Sequence, residues 1–171
     1  MQKLLQGGLI VLLSIFIAAC AGKNETDLLN EGNKFIKEKK YEEAAASFQK
    51  VIDEYPESKA AAKAMFELAK MYQGKVLKNV GEKESLKKAV EYYKRIYEKF
   101  PDSEQAPASL FMAGFIEANE LKDFDAAKET YNLYLEKYPN GELADDAKIE
   151  LANLGKSPEE ILMEKLKNSK Q

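Results

Sequence analysis

Apolar residues recur at helical spacing through most of the chain, and no stretch shows the strict alternation that is typical of a strand. The pattern is clearest in three segments, 41–55, 86–100 and 124–138, whose apolar residues fall on one helical face. Each segment ends at an aromatic residue followed by proline, and proline disfavours helix in the residue before it. Ser58 and Ser103, just beyond two of these prolines, suit the start of the next helix. The sequence therefore predicts a repeated turn at which one helix ends and another begins.

The prolines of these turns lie at positions 56, 101 and 139, at intervals of 45 and 38 residues. Helix–turn–helix units of about this period stack into solenoids. The units resemble tetratricopeptide repeats, and the matching residues are Leu28, Gly32, Phe35, Ala44, Phe48 and Pro56 in the first unit, Met65, Leu68, Ala69, Tyr72, Ala89, Tyr93, Ile96 and Pro101 in the second, and Leu110, Ala113, Gly114, Ala127, Tyr131 and Pro139 in the third. The resemblance implies an all-α fold, a right-handed superhelix of about three tetratricopeptide-like helix pairs over residues 26–155.

Two features depart from the repeat pattern. Glu117 stands where the third unit should have an aromatic residue, so we expect this helix pairing to be weaker or locally altered. The second unit carries extra residues between its helices, around 73–85, and this insertion is rich in lysine. A solvated loop is the favoured interpretation of the insertion, and a contact with anionic lipid or with a partner is the alternative.

The C-terminal part of the chain predicts one further pair of helices. A seventh helix covers roughly 142–153 and ends at Gly155. The run Ser157-Pro158-Glu159-Glu160 then offers a cap, a proline at the first helical position and acidic residues in the first turn. We expect this eighth helix, within a C-terminal segment of residues 156–171, to close the stack, because a terminal repeat otherwise exposes its apolar face.

The first twenty residues predict the cellular location of the protein. Residues 1–19 carry one charge, Lys3, and an apolar run of the length found in signal-peptide cores, and they are followed by Cys20, the only cysteine. The run Ile17-Ala18-Ala19-Cys20 resembles the lipobox of bacterial lipoproteins, which implies cleavage before Cys20 and a lipid on its sulfur. Residues 20–25 would then be a short tether, and Ala21 in place of aspartate favours the outer membrane. The alternatives are an ordinary secretory signal or a buried apolar helix.

Composition argues against catalysis and against nucleic-acid binding. The chain has no histidine, the commonest general base and metal ligand, and no other residues form a recognisable pair of nucleophile and base. Asp123 and Asp125 resemble the start of a calcium loop, but the required glycine and glutamate are missing, so Asp123 is predicted to cap a helix. The formal charge is −3, and no lysine or arginine run suits a phosphate backbone. We predict a protein that is not an enzyme, with no cofactor, metal site or nucleic-acid partner.

The concave surface of a repeat superhelix is lined by the first helix of each unit. The inward positions that form the candidate partner-binding groove are Leu29, Asn33, Ile36, Lys63, Phe66, Lys70, Phe111 and Phe115. An apolar strip of this kind marks an interaction site when it is open to water. We predict that it binds an apolar or aromatic peptide segment of an envelope protein, with Lys63 and Lys70 attracting acidic flanks. In the alternative, the eighth helix folds back and covers the phenylalanines with Ile161, Leu162 and Leu166.

The lipid signal, the short tether and the repeats together resemble two groups of envelope proteins. One comprises the BamD-type lipoproteins of the outer-membrane β-barrel assembly machinery, and the other the repeat domain of the Tol–Pal-associated cell-division coordinators. The anchor directly before the first repeat favours the first group, although this chain has about three units where BamD-type proteins usually have five. The resemblance implies a non-enzymatic interaction scaffold, lipid-anchored at the periplasmic face of the outer membrane, with a role in outer-membrane protein assembly as the leading hypothesis. A Tol–Pal adaptor and a solute- or glycan-binding lipoprotein are the alternatives.

Overall fold

The computed structural model describes residues 22–168, and every regular element in that range is helical. The helices are α1 (Glu25–Lys37), α2 (Tyr41–Glu54), α3 (Lys59–Gln73), α4 (Glu82–Lys99), α5 (Ala106–Phe115), a π-helical segment (Ile116–Leu121), α6 (Phe124–Lys137), α7 (Ala144–Asn153) and α8 (Pro158–Asn168). None of these helices is long and apolar enough to cross a membrane.

The helices stack in chain order, which is the arrangement of a helical repeat. Each helix from α1 to α7 packs against the next, and α1 also touches α3, so that the first helices of successive units lie side by side. The all-helical repeat fold predicted from the sequence is therefore confirmed. Helix α8 forms over the residues predicted for it, but the two apolar clusters of the core contain none of its residues.

Close approach within the first and third helix pairs depends on a glycine facing an aromatic ring. A Cβ atom added to Gly32 would lie 2.5 Å from Cε1 of Phe48, and one added to Gly114 would lie 3.0 Å from Cε1 of Tyr131. Both rings are fully buried. A side chain at Gly32 would therefore collide with a ring that has no free space to enter, and one at Gly114 would press tightly against the Tyr131 ring. Both glycines and both rings are among the residues that match the repeat pattern in the sequence.

The turns between units show which predicted caps form. Ser58 caps α3, with its Oγ accepting a hydrogen bond from the Ala61 backbone N–H at 3.1 Å. Asp123 caps α6 in the same way through the Ala126 N–H at 3.2 Å, as predicted. The prediction for Ser103 is wrong. Helix α5 begins later, after an N-cap at Gln105 that makes no side-chain bond, and the Ser103 hydroxyl is buried without a hydrogen bond to the described residues.

The insertion in the second unit is the turn of residues 74–81, and it is partly packed rather than wholly solvated. Leu77 is buried in the core cluster. Lys75 forms ion pairs with Glu82 and with Glu120, the latter at 3.4 Å, and the Lys78 N–H donates to the Glu42 carboxylate at 3.3 Å. The turn thereby connects all three units along one edge of the stack.

The third unit is altered at the position where Glu117 replaces the expected aromatic residue. Helix α5 continues there into the π-helical segment, which ends at Lys122 with a left-handed backbone at φ 57°. The Glu117 side chain is only 4% exposed, and its carboxylate accepts a hydrogen bond from the Thr130 hydroxyl at 2.6 Å and lies 2.6 Å from Nζ of Lys94. The predicted local alteration is confirmed, and its form is a buried carboxylate held by the two neighbouring helices.

Candidate functional site

A cleft opens on the side of the stack where the first helices meet. Its volume is about 460 Å³, and it is lined by Leu29, Asn33, Lys63, Phe66, Glu67, Glu104, Gln105 and Ala108. Helices α1, α3 and α5, with the turn that precedes α5, therefore each contribute one wall. Four of the eight residues predicted for the groove, namely Leu29, Asn33, Lys63 and Phe66, lie together here.

Two further clefts adjoin the central one and lengthen it. A cleft of about 570 Å³ shares Asn33 and Glu67 with it and extends along α1 past Ile36. A cleft of about 640 Å³ shares Lys63, Glu104 and Gln105 with it and extends along the turn that begins at Phe100. Neighbouring clefts thus share lining residues, and we call the three clefts together the groove.

Four polar side chains of the central cleft are without partners in the described part of the chain, whereas Glu67 pairs with Lys70. The Asn33 and Gln105 amides make no hydrogen bond, and Lys63 and Glu104 form no ion pair, with any residue between 22 and 168. Each amide can both donate and accept, which matches the alternating donors and acceptors of an extended peptide backbone. The groove therefore combines open apolar surface with polar groups that are available to a ligand.

Lys70 is held differently from Lys63, although both were predicted to attract acidic flanks of a ligand. Its Nζ lies 3.0 Å from the Glu67 carboxylate and 5.8 Å from the centre of the Phe66 ring. A lysine that is paired with a carboxylate attracts an anionic ligand weakly, because the two charges largely cancel outside the pair. Of these two lysines, Lys63 is the one that forms no ion pair with a described residue.

Phe111 and Phe115 lie beyond the cleft on the same helix, α5. Phe111 packs against Tyr131 and Tyr134, with ring centroids 5.7 and 6.0 Å apart, and Phe115 is half-buried. Helix α8 does not cover them, since Leu162 and Met163 are exposed and α8 belongs to neither apolar cluster. Among the described residues the groove is open, and the alternative in which α8 fills it is not the observed arrangement.

The predicted lipidation site, Cys20, lies outside the described residues. The first residues that are described enter the fold beside the first inter-unit turn, where the Tyr55 hydroxyl donates to the backbone carbonyl of Lys23 at 3.1 Å. Asn24 then caps α1 with a capping box completed by Asp27. The start of α1 is thus fixed to the repeat stack, and Cys20 is four residues before its cap.

Comparison with known protein families bears directly on this arrangement. A family model named YfiO and described as outer membrane lipoprotein matches residues 21–157. The chain belongs to this family. The match covers the repeats, α7 and the start of the C-terminal segment, and the resemblance to BamD-type lipoproteins is confirmed. No curated protein matches the chain.

Membership in the YfiO family assigns the chain to the envelope lipoproteins, a non-enzymatic class. Within residues 22–168, no cluster of histidine, cysteine, aspartate or glutamate side chains has the arrangement of a metal site. The polar groups of the central cleft lie on α1, on α3 and in the turn before α5.

Beside the groove, this YfiO-family chain buries a tyrosine hydroxyl that pairs with none of the described residues. The Tyr131 ring is fully buried between Gly114 and Phe111, and its OH makes no hydrogen bond to the described residues. Burial raises the pKa of Tyr131 well above its ordinary value, and the nearby carboxylates of Glu150 and Glu117 raise it further. Tyr134 is also buried, but its hydroxyl accepts a hydrogen bond from the Leu143 N–H at 3.3 Å.

We expect Tyr131→Phe to stabilise the protein by about 1 kcal/mol at neutral pH, because an unpaired buried hydroxyl costs free energy. The gain should grow above pH 10. There the unfolded tyrosine ionises while the folded one, with its raised pKa, stays neutral, so the stability that this group contributes is lost as pH rises. Urea unfolding at pH 7 and pH 10.5 measures both effects. Tyr134→Phe is the matched control and should be destabilising at pH 7, and equal effects of the two changes would contradict the prediction.

Proposed function

We propose that this protein is a lipid-anchored adaptor at the periplasmic face of the outer membrane, which binds extended segments of envelope proteins in the groove and serves outer-membrane protein assembly. The lipid on Cys20 would hold it at the membrane. The resemblance to BamD-type lipoproteins and the YfiO family match support this role.

The observation that carries the proposal is the chemistry of the central cleft. Leu29 and Phe66 offer open apolar surface, while Asn33 and Gln105 offer unpaired amides on opposite walls. An extended peptide has both features, side chains that alternate to either side and a backbone with free donors and acceptors. A peptide with one apolar or aromatic side chain in the cleft could pack that side chain on the apolar surface while its backbone forms hydrogen bonds with the two amides.

The charges at the cleft favour a ligand of mixed polarity. Lys63 and Glu104 form no ion pair with a described residue, and the adjoining cleft is lined by Lys59, Lys99 and Asp102 as well. A strongly anionic or strongly cationic ligand would meet like charge within the groove. An extended segment of an envelope protein that has few charges and regularly spaced apolar residues would meet no such repulsion.

The aromatic rings beside the groove favour a peptide over a sugar. Stacking on a sugar ring requires an open aromatic face, but the Phe66 ring contacts Tyr93 edge-on at 5.7 Å and has Lys70 above it. Phe111 is likewise engaged with two tyrosines. The glycan-binding alternative therefore gains no support from these rings.

Photo-crosslinking in the native host tests the proposal. A benzophenone amino acid placed at Phe66 lies in the cleft, and the same probe placed at the exposed Glu91 of α4 is the matched control. We expect the probe at Phe66 to capture a component or a client of outer-membrane protein assembly, identified by mass spectrometry, and the probe at Glu91 to capture neither.

If the captured protein binds in the groove, the crosslinking yield should also depend on the Lys63 charge and on the Asn33 amide. Lys63→Ala and Asn33→Ala should each reduce the yield at Phe66, and both residues are far enough exposed that the fold is retained. Crosslinks from Phe66 only to residues 158–168 of the same chain would overturn the proposal. Capture of cell-division proteins instead of assembly components would favour the Tol–Pal alternative.

A further inference from the structure

The exposed apolar side chains of this protein are concentrated at one end. Among the described residues, the large apolar side chains that are exposed are Phe124, Ile149, Leu162, Met163 and Leu166, and all belong to α6, α7 or α8. The first two units contribute none. Scattered apolar residues on a surface need no explanation, but a set confined to the last three helices marks an interaction surface.

The apolar side of α8 is a preformed surface rather than a frayed end. Leu166 lies four residues after Leu162 and three after Met163, so it shares a helical face with each of them, and Met163 is 68% exposed. A reciprocal capping box starts the helix, in which the Ser157 N–H donates to the Glu160 carboxylate at 2.7 Å and the Glu160 N–H donates to the Ser157 hydroxyl at 3.2 Å. These bonds fix the first turn in place.

Charge along α8 is arranged in two blocks of opposite sign. Glu159 and Glu160 lie in its first turn, and Lys165 and Lys167 lie in its last. Two copies of α8 packed antiparallel would place the acidic block of each opposite the basic block of the other, and their helix dipoles would be opposed as well. A parallel pair would place like charges together. The pattern is therefore complementary to itself in one orientation only.

A lipid surface fits the same face less well. Binding of an amphipathic helix to anionic lipid needs an excess of lysine or arginine beside the apolar face. In α8 and the residue pair before it, Lys156, Lys165 and Lys167 are balanced by Glu159, Glu160 and Glu164, and Lys156 is already ion-paired with Glu164 at 2.7 Å. This segment therefore has no excess of positive charge that would attract it to anionic lipid.

We propose that α8 is a self-association surface, on which two copies of this protein pack their α8 helices antiparallel about a two-fold axis at Met163. Glu159, Met163 and Lys167 are spaced four residues apart on one face, so with Met163 at the axis Glu159 of one copy lies opposite Lys167 of the other. A pair of helices this short buries a small area, so the dimer is weak in dilute solution. Anchoring two copies to one membrane would raise their effective concentration and favour pairing.

Cysteine crosslinking of the full chain in the native host tests this geometry. In the antiparallel pair, two cysteines at position 163 meet at the axis, whereas two at position 159 are separated by eight residues of helix, about 12 Å, which is too far for a disulfide. We expect Met163→Cys to give a disulfide-linked homodimer in more than half of the molecules and Glu159→Cys to give less than a tenth of that yield. The unmodified chain, with Cys20 alone, is the background control.

Two further strains complete the test. Differently tagged Glu159→Cys and Lys167→Cys copies expressed together should form a mixed dimer, and Leu162→Glu added to Met163→Cys should reduce the homodimer at least tenfold. Leu162 is 58% exposed, so that change leaves the fold of the repeats intact. Absence of a Met163→Cys homodimer, equal homodimer yields at positions 159 and 163, or capture of a different protein alone at position 163 would each overturn the proposal.

Discussion

Lys94→Met is expected to destabilise the protein by about 3 kcal/mol, because it leaves the Glu117 carboxylate buried without its cation. Breaking a buried ion pair by removing one partner costs about 3–5 kcal/mol, and we take the lower end since Lys94 is 37% exposed and water reaches its site. Among the described residues, the Thr130 hydroxyl would remain as the only hydrogen-bond donor to the carboxylate. Urea unfolding gives the free energy, and the melting temperature should fall by about 6–12 °C.

Two variants show whether that loss comes from the stranded charge. Lys128→Met removes a lysine that is exposed on α6 and pairs with no described residue, so it should change stability by less than about 0.5 kcal/mol. Lys94→Met combined with Glu117→Met removes both charges and should recover more than half of the loss. If the double variant were as unstable as the single one, the cost would come from lost lysine packing and not from the carboxylate.

Gly32→Val should destabilise the protein by about 3 kcal/mol or more, the upper range for overpacking a core. The new Cβ would lie within 3 Å of three atoms of the Phe48 ring, which is fully buried and cannot move aside. The first helix pair would have to separate to admit it. Thermal unfolding followed by circular dichroism measures the loss.

The matched control for this change is Gly22→Val. A Cβ at Gly22 meets no atom within 4 Å, so the same substitution there should leave the melting temperature unchanged within about 1 °C. A second check is Gly32→Val combined with Phe48→Ala, which makes room for the valine. The double variant should be more stable than Phe48→Ala alone, and the reverse order would show that Phe48 is not the obstacle.

Most of the fold follows from features that act locally in the sequence. The helix ends at the three aromatic–proline pairs depend on the proline ring and its neighbour, which is why the periodicity and the prolines together predict the stack. Gly32 and Gly114 match the repeat pattern in the sequence, and in the structure each faces a buried aromatic ring at close distance. Ser103 was expected to cap α5 by analogy with Ser58, but the third unit has a longer turn, and α5 begins beyond the reach of that hydroxyl.

The remaining features depend on contacts between residues far apart in the chain. The sequence marks Glu117 as out of place, yet the π-helical segment that accommodates it depends on Lys94 and Thr130 in two other helices. The inward positions of the groove follow from the repeat layout, and four of them share the central cleft. Glu104 and Gln105 were missed as lining residues because they lie in a turn, where helical periodicity predicts no direction for a side chain.

The hydrogen bond between the Tyr55 hydroxyl and the Lys23 carbonyl fixes the residues before α1 at the edge of the stack that the inter-unit turns form. If Cys20 carries a lipid, the edge formed by the inter-unit turns is held next to the bilayer, and the turn of residues 74–81 lies at the opposite edge, one helix length or about 20 Å farther out. Lys78 and Lys83 would then face the aqueous side, beyond the Debye length of the headgroup charge. In that orientation the insertion would point away from the membrane.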